Sequence, residues 1–126
     1  MKRIYLAVIF LIFTIAAAFF ELYIVFNPAN ESISLIEQAT ELCRNDQTSE
    51  AVEICHEVSD LWTKSNPTIN MFIQHEKTVE ISSDIKEMTF CLENGEEFDF
   101  LLTAEKLKED LKTIMDNELP HISNIL

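Results

Sequence analysis

Two short stretches carry residue types that could do chemistry. The sequence "HEKTV", residues 75–79, opens like the helical zinc motif H-E-x-x-H, in which two histidines four apart grip the metal and the glutamate polarises its water. Its fifth position is Val79, so the second histidine is missing. The sequence "HEVSD", residues 56–60, repeats the opening and closes on Asp60, which sets His56 and a carboxylate four apart with no third ligand in sequence. A catalytic zinc needs three protein ligands in fixed geometry. A metal-dependent hydrolase using His56 or His75 is therefore the alternative, and a structural role leads: an imidazole at a helix interface bonds a carbonyl or carboxylate and fixes how two helices meet, with Glu76 beside His75.

Other chemistries lack their parts. Gly95 is the one glycine, which rules out a glycine-rich phosphate loop and a G-x-S-x-G elbow. The adjacent pair Cys55-His56 would diverge by about 100° on a helix, too far for a nucleophile and its base. Acid pairs such as Glu96-Glu97 and Glu109-Asp110 are read as solvated helix backs. No catalytic residue, metal ligand or cofactor is called for. Cys43, Cys55 and Cys91 fall on apolar helical stripes and are expected as buried thiols acting as small hydrophobes rather than as a disulfide. Trp62 is expected to plug the end of the fold. The tail "PHISNIL", 120–126, places apolar Ile122, Ile125 and Leu126 around Asn124, and is expected to pack back on the domain unless another protein captures it.

The elements that must position these residues begin with an anchor. Residues 4–26 are almost wholly apolar, Glu21 being the one acid, and 23 residues of helix span roughly 35 Å, enough for a bilayer core. Lys2 and Arg3 precede the run and no base follows before Arg44, so the positive-inside bias puts the N-terminus in the cytoplasm and the rest outside. A secreted domain released by cleavage after Ala18 is the competing outcome, and the long apolar run favours the anchor. Beyond Phe26, 21 acids face 7 bases, a net charge of −14, which excludes nucleic acid as a partner because a phosphate backbone needs a basic face.

Apolar residues then recur three and four apart, which predicts helices over about 31–45, 49–64, 67–93 and 96–118, with Asn66-Pro67 opening the third and Pro120 ending the fourth. Short polar turns near Asp46 and Asn94-Gly95 make the neighbours antiparallel. The predicted fold is all-α: an N-terminal transmembrane helix followed by a small antiparallel four-helix bundle over 27–119, built as two stacked helical hairpins.

The basic-then-apolar span, a helical domain with Trp62, His75-Glu76 followed by Ile81 and Ile85, and the closing "SNIL" resemble a family of short bacterial membrane proteins, domain of unknown function 4363. The resemblance implies a single-pass envelope protein and no enzymatic activity. The function expected from the residues is a non-enzymatic, membrane-anchored helical interaction module on the outer side of the cytoplasmic membrane, held through residues 4–26 and meeting a protein partner in the envelope. The residues expected to organise contacts are Trp62, His75, Glu76, Asn124, Ile125 and Leu126.

Overall fold

The computed structural model describes every residue except Phe72 and Leu126, and side chains for all but Phe72 and residues 117–126. Four helices follow in order: α1 Lys2–Arg44, α2 Thr48–Ile69, α3 His75–Glu93 and α4 Glu97–Ile125. Contacts join α1 to α2, α2 to α3, α3 to α4 and α4 back to α1, with no diagonal pair among the described residues. Each short connection reverses the chain. The result is an all-α, up-and-down four-helix bundle whose first helix continues into a long apolar N-terminal half.

The apolar periodicity explains the closure. Ile36, Ala39 and Cys43 of α1, Ala51, Cys55, Val58, Trp62 and Ile69 of α2, Ile81, Ile85, Met88 and Leu92 of α3, and Phe100, Ala104, Leu107 and Leu111 of α4 form one core. Each set repeats at helical spacing, so each helix can bury a single face. The small residues at the α1–α2 turn, with Ala39 and Ala51 fully buried, fit a tight hairpin there.

The two hairpin turns share one geometry at an offset of 49 residues. In the first, the Asp46 amide donates to the Cys43 carbonyl at 3.2 Å and the Gln47 amide to the Leu42 carbonyl at 2.9 Å. In the second, Gly95 donates to Leu92 at 3.2 Å and Glu96 to Cys91 at 2.8 Å. This is the Schellman pattern, which satisfies the last helical carbonyls and requires one left-handed residue. Gly95 takes that conformation at φ 73° without a Cβ to clash; Asp46 takes it at φ 62° with one.

Three expected boundaries move. Helix α1 runs unbroken through Pro28, which lies in the gap expected between the apolar span ending at 26 and the helix beginning at about 31; the ring removes one donor, and packing of Val25, Pro28 and Ala29 into the bundle keeps the helix going across it. Pro67 does not open the third helix but lies in the last turns of α2, because the stripe Val58, Trp62, Ile69 continues past it. Instead α2 ends at Ile69 and α3 begins at His75, with Gln74 extended at ψ 135° in the N-cap position. Pro120 does not end α4, which continues to Ile125. The first three residues of a helix accommodate proline best, but a later proline removes only one hydrogen bond when the surrounding turns hold.

Candidate functional site

His75 is the first residue of α3, and its ring and the Glu76 carboxylate are exposed. Its backbone does the local work. The fully buried Thr78 donates its hydroxyl to the His75 carbonyl at 2.8 Å and pairs with the side chain of Asn70, the C-cap of α2. That link closes the α2–α3 turn. The expected role of the imidazole in orienting two helices is not what the geometry gives, because the first turn of α3 projects the ring away from the core.

His56 reaches across to α3, where its Nε2 lies 3.2 Å from Glu93 Oε1 on the surface. Neither histidine joins a group of three metal-capable side chains among the described residues. Trp62 is 2% exposed and lies inside the α2–α3 interface, with Ile69 two turns nearer the end that Trp62 was expected to plug. Its indole nitrogen donates to Ser82 Oγ at 2.9 Å. Asn124 and Ile125 belong to the last turn of α4, their side chains lying outside the described residues, as does all of Leu126.

What the fold does bring together are carboxylates. Glu80 and Asp84, one turn apart on α3, meet Asp110 on α4, with one oxygen from each within 4.8 Å of the others. Asp84 is 3% exposed. Lys106, one turn before Asp110, places its ammonium 3.4 Å from Asp84 Oδ1 and 3.9 Å from Glu80 Oε1. Asp84 Oδ2 and Asp110 Oδ2 are both buried without a hydrogen-bond partner. An adjoining cavity of about 170 Å³ is lined by Lys77, Glu80, Ile81, Asp110, Thr113 and Ile114.

The electrostatics follow from the burial. Desolvation, the close approach of the Asp84 carboxylate and the charges of Glu80 and Asp84 push the Asp110 carboxyl up to about 6, against the pull of Lys106. Lys106 is held protonated above its ordinary range by Asp84. The sequence reading of Glu109-Asp110 as a solvated back holds for the exposed Glu109 and fails for Asp110. The pattern carried the correction: Asp84 sits three after Ile81 and four before Met88, and Asp110 three after Leu107 and four before Ile114, so both acids occupy apolar stripes.

The three cysteines are free and buried. Burial pushes the Cys55 thiol up to about 12 and raises Cys43 and Cys91, where neighbouring acids, Glu97 for Cys43 and Glu96 for Cys91, add to the effect. These are packing thiols, not nucleophiles.

A family described as "Domain of unknown function (DUF4363)" matches residues 19–125, from the last turns of the apolar segment to the end of α4. No curated protein matches the chain. No solved structure matches it either.

Proposed function

The chain belongs to the DUF4363 family, and on that footing we propose that it is a non-enzymatic, membrane-anchored helical module whose bundle stands outside the cytoplasmic membrane and meets a protein partner in the envelope. One observation carries the reading: α1 is a single helix with two kinds of surface. Its first half is long and apolar enough to cross a bilayer and is almost entirely exposed, with Phe10, Phe13, Phe19 and Phe20 all more than 60% exposed. A core helix of a soluble protein would bury such residues. From Val25 onward the same helix turns its apolar face into the bundle.

Lys2 and Arg3 support an inside N-terminus. The acidic surface and the exposed Phe90, Phe98 and Leu102 on α3 and α4 support a protein rather than a nucleic acid as the partner.

Asn94 sits exposed in the α3–α4 turn, and the native thiols are buried, so Asn94→Cys gives one reactive position. A membrane-impermeant maleimide should label it in intact cells, with the full-length chain in the membrane fraction. Labelling only after lysis overturns the orientation. A mature mass beginning at Phe19, with the protein released from membranes, overturns the anchor and favours a secreted domain. Crosslinking in native membranes should then capture a protein partner; its failure across crosslinkers of different reach would sink the interaction role.

A further inference from the structure

We infer that Glu80, Asp84 and Asp110 bind one hard divalent cation, of the calcium, magnesium or manganese class, between α3 and α4.

Two buried carboxylate oxygens without partners, Asp84 Oδ2 and Asp110 Oδ2, belong to side chains that converge across a helix interface. Buried carboxylate oxygens are normally satisfied, because an uncompensated one costs the full desolvation of its charge. Lys106 does not complete the balance. Its one positive charge meets three negative ones, and its contacts go to Asp84 Oδ1 and Glu80 Oε1, leaving both unpartnered oxygens untouched. A proton shared between Asp84 and Asp110 would satisfy them in acid. A cation serves both oxygens at neutral pH.

The donors determine its class. Three carboxylates and no imidazole or thiolate form an all-oxygen set, which suits hard cations and not zinc or copper. Glu80 is exposed and, with Asp110, lines the adjoining cavity of about 170 Å³, so an ion has a route in and room for the waters that complete its shell. The spacing is also right for two helices: E-x-x-x-D on α3 supplies ligands one turn apart, and Asp110 supplies the facing one. Lys106 is a built-in competitor. Its ammonium occupies part of the same field and must swing aside when the ion enters, which keeps affinity modest, with a dissociation constant on the order of 10⁻⁴–10⁻³ M, as in extracellular calcium modules.

The test uses the full chain in detergent micelles. Mn²⁺ is titrated and followed by the loss of its free electron-spin-resonance signal, and Ca²⁺ is used as competitor. One saturable Mn²⁺ site per chain that Ca²⁺ displaces is expected. Asp110→Asn, which keeps the shape and removes the charge, should weaken binding at least about tenfold, while Lys106→Met should tighten it roughly fivefold by removing the competing charge. Glu57→Gln, an exposed acid on α2, should change nothing. Lys106→Met separates a binding site from a structural ion pair: tightening supports the cation, and unchanged or weaker binding overturns it. No saturable binding in the parent, or equal weakening by Glu57→Gln and Asp110→Asn, also overturns it, the first assigning the pair to a shared proton and the second to a diffuse acidic surface. Far-UV circular dichroism checks that each variant is folded. Should Asp110→Asn lose helix, Lys106→Met decides.

Discussion

Trp62 donates its indole hydrogen to Ser82 at 2.9 Å, and Ser82 passes its own hydroxyl hydrogen to the Thr78 carbonyl at 3.0 Å. Thr78 in turn holds the His75 carbonyl, so a chain of hydrogen bonds runs from the body of α2 to the first turn of α3. Ser82→Ala leaves the buried indole N–H without a partner and should destabilise the bundle by about 1–3 kcal/mol. Trp62→Phe leaves no orphan, since Ser82 keeps its bond to Thr78, but it removes ring volume from a packed site. Adding Ser82→Ala to Trp62→Phe should therefore cost less than adding it to the parent. Urea unfolding of the four proteins in a double-mutant cycle measures this coupling.

The two matched turns differ at one position, Asp46 against Gly95. Asp46→Gly should raise stability by about 0.5–1 kcal/mol by removing the left-handed strain, less the entropy glycine gains in the unfolded chain. Gly95→Ala should lower it by about 1 kcal/mol although no atom crowds the added Cβ, because the cost is backbone conformation alone. Thermal melts of both variants give the signs.

Stability should depend on pH through Asp110. Its carboxyl is raised from 3.8 to about 6, chiefly by burial, so between these values the folded state holds more protons than the unfolded one. The contribution is full below about 4 and is lost as pH rises through about 6. In a chelating buffer, Asp110→Asn should melt higher than the parent at pH 7 and approach it, relative to the parent's own gain, at pH 4. The general relief of acidic repulsion on acidification is common to both proteins, so the difference between their melting temperatures isolates Asp110. A difference that does not change across pH 4–7 would contradict this.

Folded protein at pH 7.5 should react slowly with a thiol-specific disulfide reagent, with Cys55 the slowest of the three since its thiol lies near 12. In denaturant all three thiols should titrate at once. Rapid reaction of one thiol in the folded state would reveal an opening of the distal half of the bundle, where Cys43, Cys55 and Cys91 lie close to the two hairpin turns.

Legibility in the sequence divided along one line: repetition could be read, and its exceptions could not. Ile81, Ile85 and Met88, or Leu107, Leu111 and Ile114, announced buried faces because each repeats its neighbour's chemistry. Glycine at 95 announced a turn because only that residue type is free at positive φ. Asp46 plays the same part with a side chain ordinary on any surface, so the first turn was read from polarity alone. Prolines misled, since Pro28 and Pro67 are tolerated by packing from other helices that a linear reading does not contain. The carboxylate cluster was missed for a related reason. Asp84 and Asp110 lie 26 positions apart, and the pairing of Asp110 with Glu109 suggests a solvated back, so only the α3–α4 hairpin that sets Asp84 and Asp110 face to face joins them in one cluster.

Helix α1 has 43 residues and is about 65 Å long, and under the proposed anchoring one continuous helix would join the bilayer to the bundle. A torque or tilt applied to the apolar half is therefore delivered to the core as a lever delivers it, and the azimuth of every surface on the bundle is geared to the orientation of the span. One alanine inserted between Phe20 and Val25 would turn the whole bundle by about 100° and lift it by about 1.5 Å, while four would turn it through roughly one revolution and lift it by about 6 Å. A partner fixed in the same membrane would thus lose contact with the one-residue insertion and regain its facing, at a changed height, with the four-residue one.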